Sequence, residues 1–482
     1  MKLSQIFGPE IRTAAGADGI DITGMTADSR TVKPGYLFAA MTGSKADGAK
    51  YARAAKDAGA VAILAGEDTV LPPDLGMAIV RSDDPRLALA RMAARFYRHQ
   101  PDTVVAITGT SGKTSTAYFV RQIWAGLGLK AANLGTLGLI RPDGSVTESL
   151  TTPDPVTLHA MLAELAQDGC EHLAMEASSH GLDQKRLHGV RLTAGAFLNL
   201  GRDHLDYHKD LDEYLQAKLR LFTELLPEGA AAVVNADCAE AETVVDAAYR
   251  HGLKVMTVGA KGKSLRLVSC VSDGFDQKLS IQHDGERREI KLPLIGAYQA
   301  SNALVAAGLC IGSGSPPDGV FARLGMLKGV PGRLEMVGGV RGGTVVIDYA
   351  HKPDAIDAAL RALRPFATGK LICVFGCGGD RDKGKRPVMG RIATELADQV
   401  IVTDDNPRTE VAQDIRAAIL AGAPGAVEIG DRRAAIHEGV RRLGAGDVLL
   451  VAGKGHETGQ YVGMQVLPFS DHTVVAEELA KE

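Results

Sequence analysis

Aromatic residues make up only 5% of the 482 positions, with a single tryptophan, and cysteines number six. So few cysteines in so long a chain exclude a disulfide framework. Cys373 and Cys377 are the only close pair, and with no second pair to complete a zinc set they are expected to be buried thiols. Long apolar runs are also missing. Runs such as 60–65 reach about six residues, against the roughly 20 that a membrane helix requires. Neither charge sign is in excess: 54 Lys+Arg oppose 58 Asp+Glu, a net of −4, so nothing draws the chain to nucleic acid or an anionic membrane. The opening residues, MKLSQIFGPEIRTAAG, lack an apolar core and carry Glu10, unlike a secretory leader. Together these absences suggest a soluble, cytoplasmic protein. What is plentiful is glycine, 56 residues, which suits tight loops and close backbone approach to ligands. The length suits about three domains of ~150 residues each.

Periodicity gives an α/β reading throughout. Residues 1–100 show short strands at 35–39 and 60–65, a helical stretch over 46–58 and a helix over 85–100, together a smaller α/β domain. Pro101-Asp102 marks a boundary. From 101 to 330 strands at 104–108, 172–175, 194–198 and 231–234 alternate with helices, as in a parallel sheet covered on both faces. Helices are expected at 115–127, 211–226 and 298–309, and the alternating runs of 255–294 suggest a small antiparallel flap. Gly329-Val330-Pro331-Gly332 is a plausible second linker. Beyond it, over 331–482, strands at 344–348, 371–375, 399–403, 426–429 and 447–451 alternate with helices near 353–364, 387–397, 411–421 and 432–443, a Rossmann-like order.

The strongest motif is Thr108-Gly109-Thr110-Ser111-Gly112-Lys113-Thr114-Ser115, between an expected buried strand and an expected helix. Glycines let amide groups turn inward as an anion nest, and the helix adds its positive end. Lys113 suits the β/γ-phosphates and Thr114 suits Mg²⁺. The loop is shorter than the usual GxxxxGK[ST], whose first glycine would fall at Ile107. Glu176 ends a buried strand about sixty residues later, where a carboxylate is able to hold Mg²⁺ or serve as a cap. In the last third, Phe375-Gly376-Cys377-Gly378-Gly379-Asp380-Arg381 is not a dinucleotide fingerprint, because its third glycine position is Arg381. Arg381, Asp405, Asn406 and Arg408 instead follow strand ends, as does Gly453-Lys454-Gly455-His456-Glu457. Ligands of open parallel sheets bind at those carboxyl ends.

Taken together, the residues resemble the Mur ligase family, ATP-dependent amide-forming enzymes of peptidoglycan precursor synthesis. The resemblance spans essentially the whole chain. It rests on the short phosphate loop, on Met175-Glu176-Ala177-Ser178-Ser179-His180-Gly181-Leu182, on Asn199-Leu200-Gly201-Arg202-Asp203-His204-Leu205-Asp206-Tyr207-His208, and on Tyr214-Leu215-Gln216-Ala217-Lys218. Asn302, Gly332-Arg333-Leu334-Glu335 and Asp348-Tyr349-Ala350-His351 complete it. The family has a UDP-sugar domain, a central ATPase and a mobile Rossmann-like domain. Ser29 in Ser29-Arg30-Thr31-Val32-Lys33-Pro34-Gly35 resembles its uridine-binding start, Thr151-Thr152 its muramyl-peptide contact, and Asp405-Asn406-Pro407-Arg408 the signature of the branch that uses meso-diaminopimelate rather than L-lysine. Leu150 and Ala49 depart from the pattern near the UDP-substrate path.

The resemblance implies a reaction and a set of roles. ATP would phosphorylate the D-glutamate carboxylate of UDP-N-acetylmuramoyl-L-alanyl-D-glutamate, and the amine of meso-diaminopimelate would displace phosphate to form an amide. Gly109 to Ser115 and Asn302, Arg333, Asp348 and His351 would hold ATP. Thr114 and Glu176 would bind one Mg²⁺. His204, otherwise a structural histidine, would serve a second, with Lys218 as an anionic carbamate. By periodicity alone Lys218 is a solvated helix lysine, and Asp203 and Asp206 are candidate helix caps. Ser178, Gln184 and Arg186 would join Thr151 and Thr152 on the muramyl-dipeptide. Arg381, Asp405, Asn406, Pro407, Arg408, Gly453 and Glu457 would hold meso-diaminopimelate. The expected partners are thus small molecules, and the expected state is a monomer. A folylpolyglutamate synthase fits less well, since it needs no UDP-type domain. A nucleotide-dependent switch or a kinase would release different products.

Overall fold

The computed structural model describes residues 1–41, 47–205, 207–273 and 276–481. Asp206, one of the candidate caps, and Ala46, where a helix is expected to begin, lie outside these. The strands assemble into sheets of five, eleven and six strands and one two-stranded ribbon.

The first sheet pairs Gly24–Thr26, Tyr36–Ala39, Ala62–Gly66 and Ala78–Ser82 in parallel, with Thr13–Ala15 antiparallel at one edge. Helix Pro85–Tyr97 packs on it, started by Asp84, whose carboxylate accepts from Leu87 N at 3.0 Å. It ends before residue 100 because Arg98 turns to φ +64.

In the second sheet, Ala194–Phe197, Thr103–Thr108, His172–Glu176 and Ala131–Gly135 lie side by side in parallel. The continuous apolar run of the second of these has a direct cause. Val105 and Ile107 pack with Phe119, Trp124 and Leu304 on one face, and Val104 and Ala106 pack with Leu158, Leu162 and Phe222 on the other. Both faces are covered, so no residue of the strand is required to be polar. Instead of forming a separate flap, strands Leu265–Asp273, Asp276–His283 and Glu286–Leu292 extend this sheet beyond Lys254–Gly259. Leu279, Ile281 and Leu292 join the main core. The expected helix at 211–226 is α-helical only over Leu211–Arg220 and widens to a π turn at Leu221–Leu225.

The third sheet runs in the order Glu335–Val340, Gly343–Asp348, Val448–Ala452, Leu371–Phe375, Gln399–Val402 and Val427–Glu428. All but the first are parallel. Periodicity misses that antiparallel edge, the ribbon Gly459–Val462 with Gln465–Pro468, and helix Asp471–Leu479. The ribbon shows no alternation because its strands bury neither face. The last helix is tied down by a fully buried pair: Arg432 donates to Asp471 at 2.8 and 2.7 Å, and to the Ala452 carbonyl at 3.0 Å. Breaking a buried pair strands one charge in the interior. Asp471→Ala is therefore expected to lower the stability of the third sheet by about 3–5 kcal/mol, read from urea unfolding by circular dichroism.

All six cysteines are free. Cys373 and Cys377 are buried, as expected, and burial pushes both thiols up to about 12. Among the described residues no group of three or more His, Cys, Asp or Glu is placed to hold a metal ion. No helix among them is long and apolar enough to cross a membrane.

Candidate active site

The phosphate loop leaves strand Thr103–Thr108 and enters helix Lys113–Gly126. Gly112 caps that helix at φ +90, and a Cβ there would lie 2.4 Å from Asn302 Oδ1. The turn therefore needs glycine for both conformation and space. Asn199 braces the loop on both sides. Its Oδ1 accepts from Ser111 N at 2.9 Å, and its Nδ2 donates to the Ser111 carbonyl at 3.1 Å. Thr110 Oγ1 accepts from Gly201 N at 2.9 Å and meets the Tyr214 hydroxyl at 3.2 Å. Thr114 and Ser115 are buried at the first turn. The Lys113 ammonium donates to the Gly109 and Thr110 carbonyls at 2.8 and 3.1 Å, and burial lowers it to about 8.

Glu176 is buried at the end of its strand. Its carboxylate accepts from Thr136 N at 2.8 Å and from Thr136 Oγ1 at 3.2 Å. Gly135 makes room for it, since a Cβ there would sit 2.0 Å from Glu176 Oε1. Thr151 meets Thr136 Oγ1 at 3.2 Å. Thr152 Oγ1 donates to the Glu176 carbonyl at 2.9 Å and accepts from Ser178 N at 3.1 Å. Ser178 caps the short helix Ser179–Asp183. Arg186 donates to the Thr152 carbonyl at 2.6 Å and to Gln184 Oε1 at 2.7 Å. Thr151, Thr152, Ser178, Gln184 and Arg186 thus form one bonded set beside Glu176. Ser29 lies in the turn Ser29–Thr31 of the first unit.

Lys218 corrects the reading from periodicity. It is not solvated but 1% exposed, on the helix face that buries Tyr214 and Ala217. Its amine donates to the Gly109 carbonyl at 3.0 Å and sits 4.1 Å from the centre of the Tyr214 ring. Burial, then the charges of Lys113 and Lys352, hold it well below its ordinary value. Asp203 is likewise no helix cap. Asp210 caps helix Leu211–Arg220, accepting from Glu213 N at 2.9 Å. Asp203 instead pairs with Lys352 from the third unit and lies 3.1 Å from His204 Nε2. Burial alone would raise the Asp203 carboxyl, but Lys352 and His204 hold it below its usual range. His204 takes φ +53, and burial lowers it to about 4 against the pull of Asp203.

The loops of the third unit reach this region at their strand ends. The Arg333 guanidinium lies over the Tyr349 ring at 4.3 Å. Asp348 accepts from Leu334 N at 2.7 Å, and burial raises it to about 6. His351 Nδ1 contacts the Tyr349 carbonyl at 2.8 Å, and burial, with Lys352 and Lys385 nearby, keeps it well below its ordinary value. Farther along the same sheet edge, Glu457 gathers three donors: Tyr349 Oη at 3.3 Å, Asn406 Nδ2 at 2.9 Å and Lys454 Nζ at 3.1 Å. Asp405 is buried with Oδ2 unpaired and is raised by burial. Gly453, at φ +115, leaves it space, as a Cβ would lie 2.5 Å from Asp405 Oδ2. Arg408 donates to the Gly379 carbonyl at 2.8 Å. Pro407 is buried, with its carbonyl 1.9 Å from where a Cβ of Gly379 would lie. Arg381 is exposed and donates to the Asp380 carbonyl at 3.0 Å.

Three family models match the chain: the Mur ligase family catalytic domain over residues 21–97, the Mur ligase middle domain over 107–310, and the Mur ligase glutamate ligase domain over 332–455. The chain belongs to the Mur ligase family. A UDP-N-acetylmuramoyl-L-alanyl-D-glutamate–2,6-diaminopimelate ligase of Brucella melitensis is 55% identical over 481 residues, covering 100% of this chain and 98% of the relative. A solved structure of a ligase of that name is 31% identical, with a TM-score of 0.69 over 95% of each chain. A folylpolyglutamate synthase of Mycobacterium tuberculosis shares the fold over only 76% of this chain and 92% of its own, at 20% identity and a TM-score of 0.61.

Several residues of this Mur ligase site carry no assignment from sequence. Asn199 lies inside a motif that signalled the family, and Lys454 in the segment after a strand end, but nothing in a linear pattern says which side chain braces which loop. Thr136 gives no signal: it is one threonine after a glycine, and only the fold brings it to Glu176. Lys352 follows His351 directly, and its role depends on a contact between units.

Proposed function

We propose that this chain adds meso-diaminopimelate to UDP-N-acetylmuramoyl-L-alanyl-D-glutamate, using ATP, as a step of peptidoglycan precursor synthesis. What carries this reading is the full-length likeness, 55% identity over 481 residues, to a ligase named for that reaction. Three domains share the work: 1–100 for the UDP moiety, 101–330 for ATP, 331–482 for the amino acid.

The substrate carboxylate attacks the γ-phosphorus of ATP and ADP leaves. The diaminopimelate amine then attacks the acyl carbon of the acyl phosphate, phosphate departs and an amide remains. Phosphoryl transfer asks for alignment and charge neutralisation more than covalent help. Lys113 and the inward amides of residues 109–115 supply both. Asn302, Arg333, Asp348 and His351 close over the nucleotide. Thr151, Thr152, Ser178, Gln184 and Arg186 orient the muramyl-dipeptide, and Ser29 holds its uridine end. Thr152 and Ser178 act mainly by bracing, since their hydroxyls are already engaged with backbone.

The residues present fit magnesium: a buried carboxylate, Glu176, in a glycine cradle, and the buried Thr114 at the end of the phosphate loop. Thr114 and Glu176 would hold one ion, and His204 and Lys218 the other. Bound Mg²⁺ would neutralise charge on the phosphate oxygens. An ammonium repels a cation, so Lys218 fits this role only as a carbamate. Its buried amine is held well below its ordinary value, which favours the neutral form that adds CO₂. Lys218→Ala should abolish ligation, and small carboxylates in the buffer should restore part of it. A ¹³C carbamate signal on labelling with ¹³CO₂ should be present in the parent and absent in the variant.

The reaction itself is tested by product analysis. ADP and phosphate should appear only when both the UDP-dipeptide and meso-diaminopimelate are present, with the tripeptide visible by mass spectrometry. Slow ATP hydrolysis without them would indicate a switch, and a stable phosphorylated product a kinase.

A further inference from the structure

The ribbon formed by Gly459–Val462 and Gln465–Pro468 has no place in any core. Tyr461 is 46% exposed, Val466 55% and Met464 at its tip 95%. Yet it is bonded closely to one neighbour, the loop 405–408. Tyr461 N donates to Asn406 Oδ1 at 3.0 Å, and Gln460 Nε2 donates to the Asp405 carbonyl at 2.7 Å. Lys454, fully buried between them, donates to Asn406 Oδ1 at 3.0 Å and to the Gly459 carbonyl at 2.6 Å.

The tightest grip falls on Arg408. Its N–H donates to the Tyr461 carbonyl at 2.9 Å, and its carbonyl accepts from Gly463 N at 2.7 Å. Its guanidinium lies 5.9 Å from the centre of the Tyr461 ring, within range of a cation–π contact. Arg408 is also in the left-handed region, at φ +52. A residue with a side chain visits that region rarely and stays there only when its surroundings over-determine it. Two backbone hydrogen bonds from the ribbon and one from Arg408 Nη1 to the Gly379 carbonyl do so here.

We infer that the ribbon over residues 459–468 is a clamp that fixes the direction of the Arg408 side chain, with Tyr461 as a positioning residue for amino-acid selectivity. The inference rests on the function proposed above, with Arg408 taken as the residue of the amino-acid pocket that meets the distal carboxylate of meso-diaminopimelate. A guanidinium grips a carboxylate with two parallel hydrogen bonds only when its plane is set correctly, so a device that sets the plane governs selectivity without touching the substrate. The exposed side chains of the ribbon follow from this role. The ribbon is retained for its backbone donors and acceptors and for one ring, and its remaining side chains have nothing to cover.

The test compares Tyr461→Ala, Tyr461→Phe and Gly463→Pro with the parent, using meso-diaminopimelate, L-lysine and ATP as varied substrates. Tyr461→Ala should raise KM for meso-diaminopimelate roughly tenfold and narrow the preference over L-lysine by a similar factor. Its kcat and its KM for ATP should stay within about twofold. Tyr461→Phe keeps the ring and should behave as the parent. Gly463→Pro removes the N–H donor and cannot adopt φ +59, so it should shift the same two quantities further. An unchanged KM for meso-diaminopimelate in Tyr461→Ala would overturn the clamp, and so would a parallel rise in the KM for ATP. A parent that uses L-lysine as readily as meso-diaminopimelate would instead refute the role given to Arg408. The two failures are therefore distinct.

Discussion

Given L-lysine in place of meso-diaminopimelate, the enzyme should lose about 10⁴-fold in kcat/KM. The two differ by one carboxylate at the far, D-configured end. Arg408 is the directional cation proposed for that end, and its planar fork suits it. With lysine bound, the guanidinium would be desolvated with no anion to meet, and sites built around a polar substrate group reject analogues that lack it. Asp405, with an unpaired buried oxygen, and Glu457 and Asn406 beside it, would take the distal ammonium. Arg408→Ala should lower kcat/KM for meso-diaminopimelate by roughly 10²-fold, the loss of a charge-assisted pair, and should leave the KM for ATP near its parent value. Arg408→Lys should recover little, because a point charge does not replace the fork. Steady-state kinetics with both amino acids decides the matter: similar kcat/KM values for the two in the parent would contradict this view of the pocket.

Lys113→Ala should reduce kcat by about 10³-fold or more. The lysine head is enclosed by the loop and bonded to two of its carbonyls, at the start of the helix that follows the loop glycines. Groups fixed in place before reaction stabilise developing charge without reorganising, so their loss is felt in the transition state. The fold should survive, because the neighbouring turn is held independently by Asn199 and Thr110. ADP release near the parent rate by a variant with an unchanged melting temperature would remove Lys113 from the mechanism. The lowering of Lys113 to about 8 adds a pH signature. The charged form should decline as pH rises through 8, so ATP binding should weaken on the alkaline side, measurable as a rising KM for ATP.

The parts legible in the sequence are those where a local pattern suffices. The buried strand Thr103–Thr108 declared itself because both of its faces meet helices. The phosphate loop declared itself through glycines that the turn demands. Lys218 shows where such reading stops. On helical periodicity it belongs to a polar face, and it is buried only because that face turns toward the back of the phosphate loop, about a hundred residues away in sequence. Asp203 fails for the same reason, since its partner Lys352 lies 149 positions on. The edge strand Glu335–Val340 and the ribbon at 459–468 were missed because neither presents an alternating buried face.

The cysteines carry a practical consequence. Reactivity toward alkylating agents belongs to the thiolate. In this chain burial favours the protonated thiol at every cysteine: Cys170 and Cys270 are raised, Cys238 is near 11, Cys373 and Cys377 are near 12, and Cys310 is well above its ordinary value. Cys170, Cys310, Cys373 and Cys377 are also buried and Cys238 and Cys270 half-buried, so all six should label slowly with maleimides or iodoacetamide at neutral pH. A single new thiol at the tip of the ribbon, as in Met464→Cys, at a position 95% exposed, should therefore take a fluorophore well ahead of the native six. Such a probe would report whether the surroundings of the ribbon change when substrates are added, with the rest of the chain unaltered.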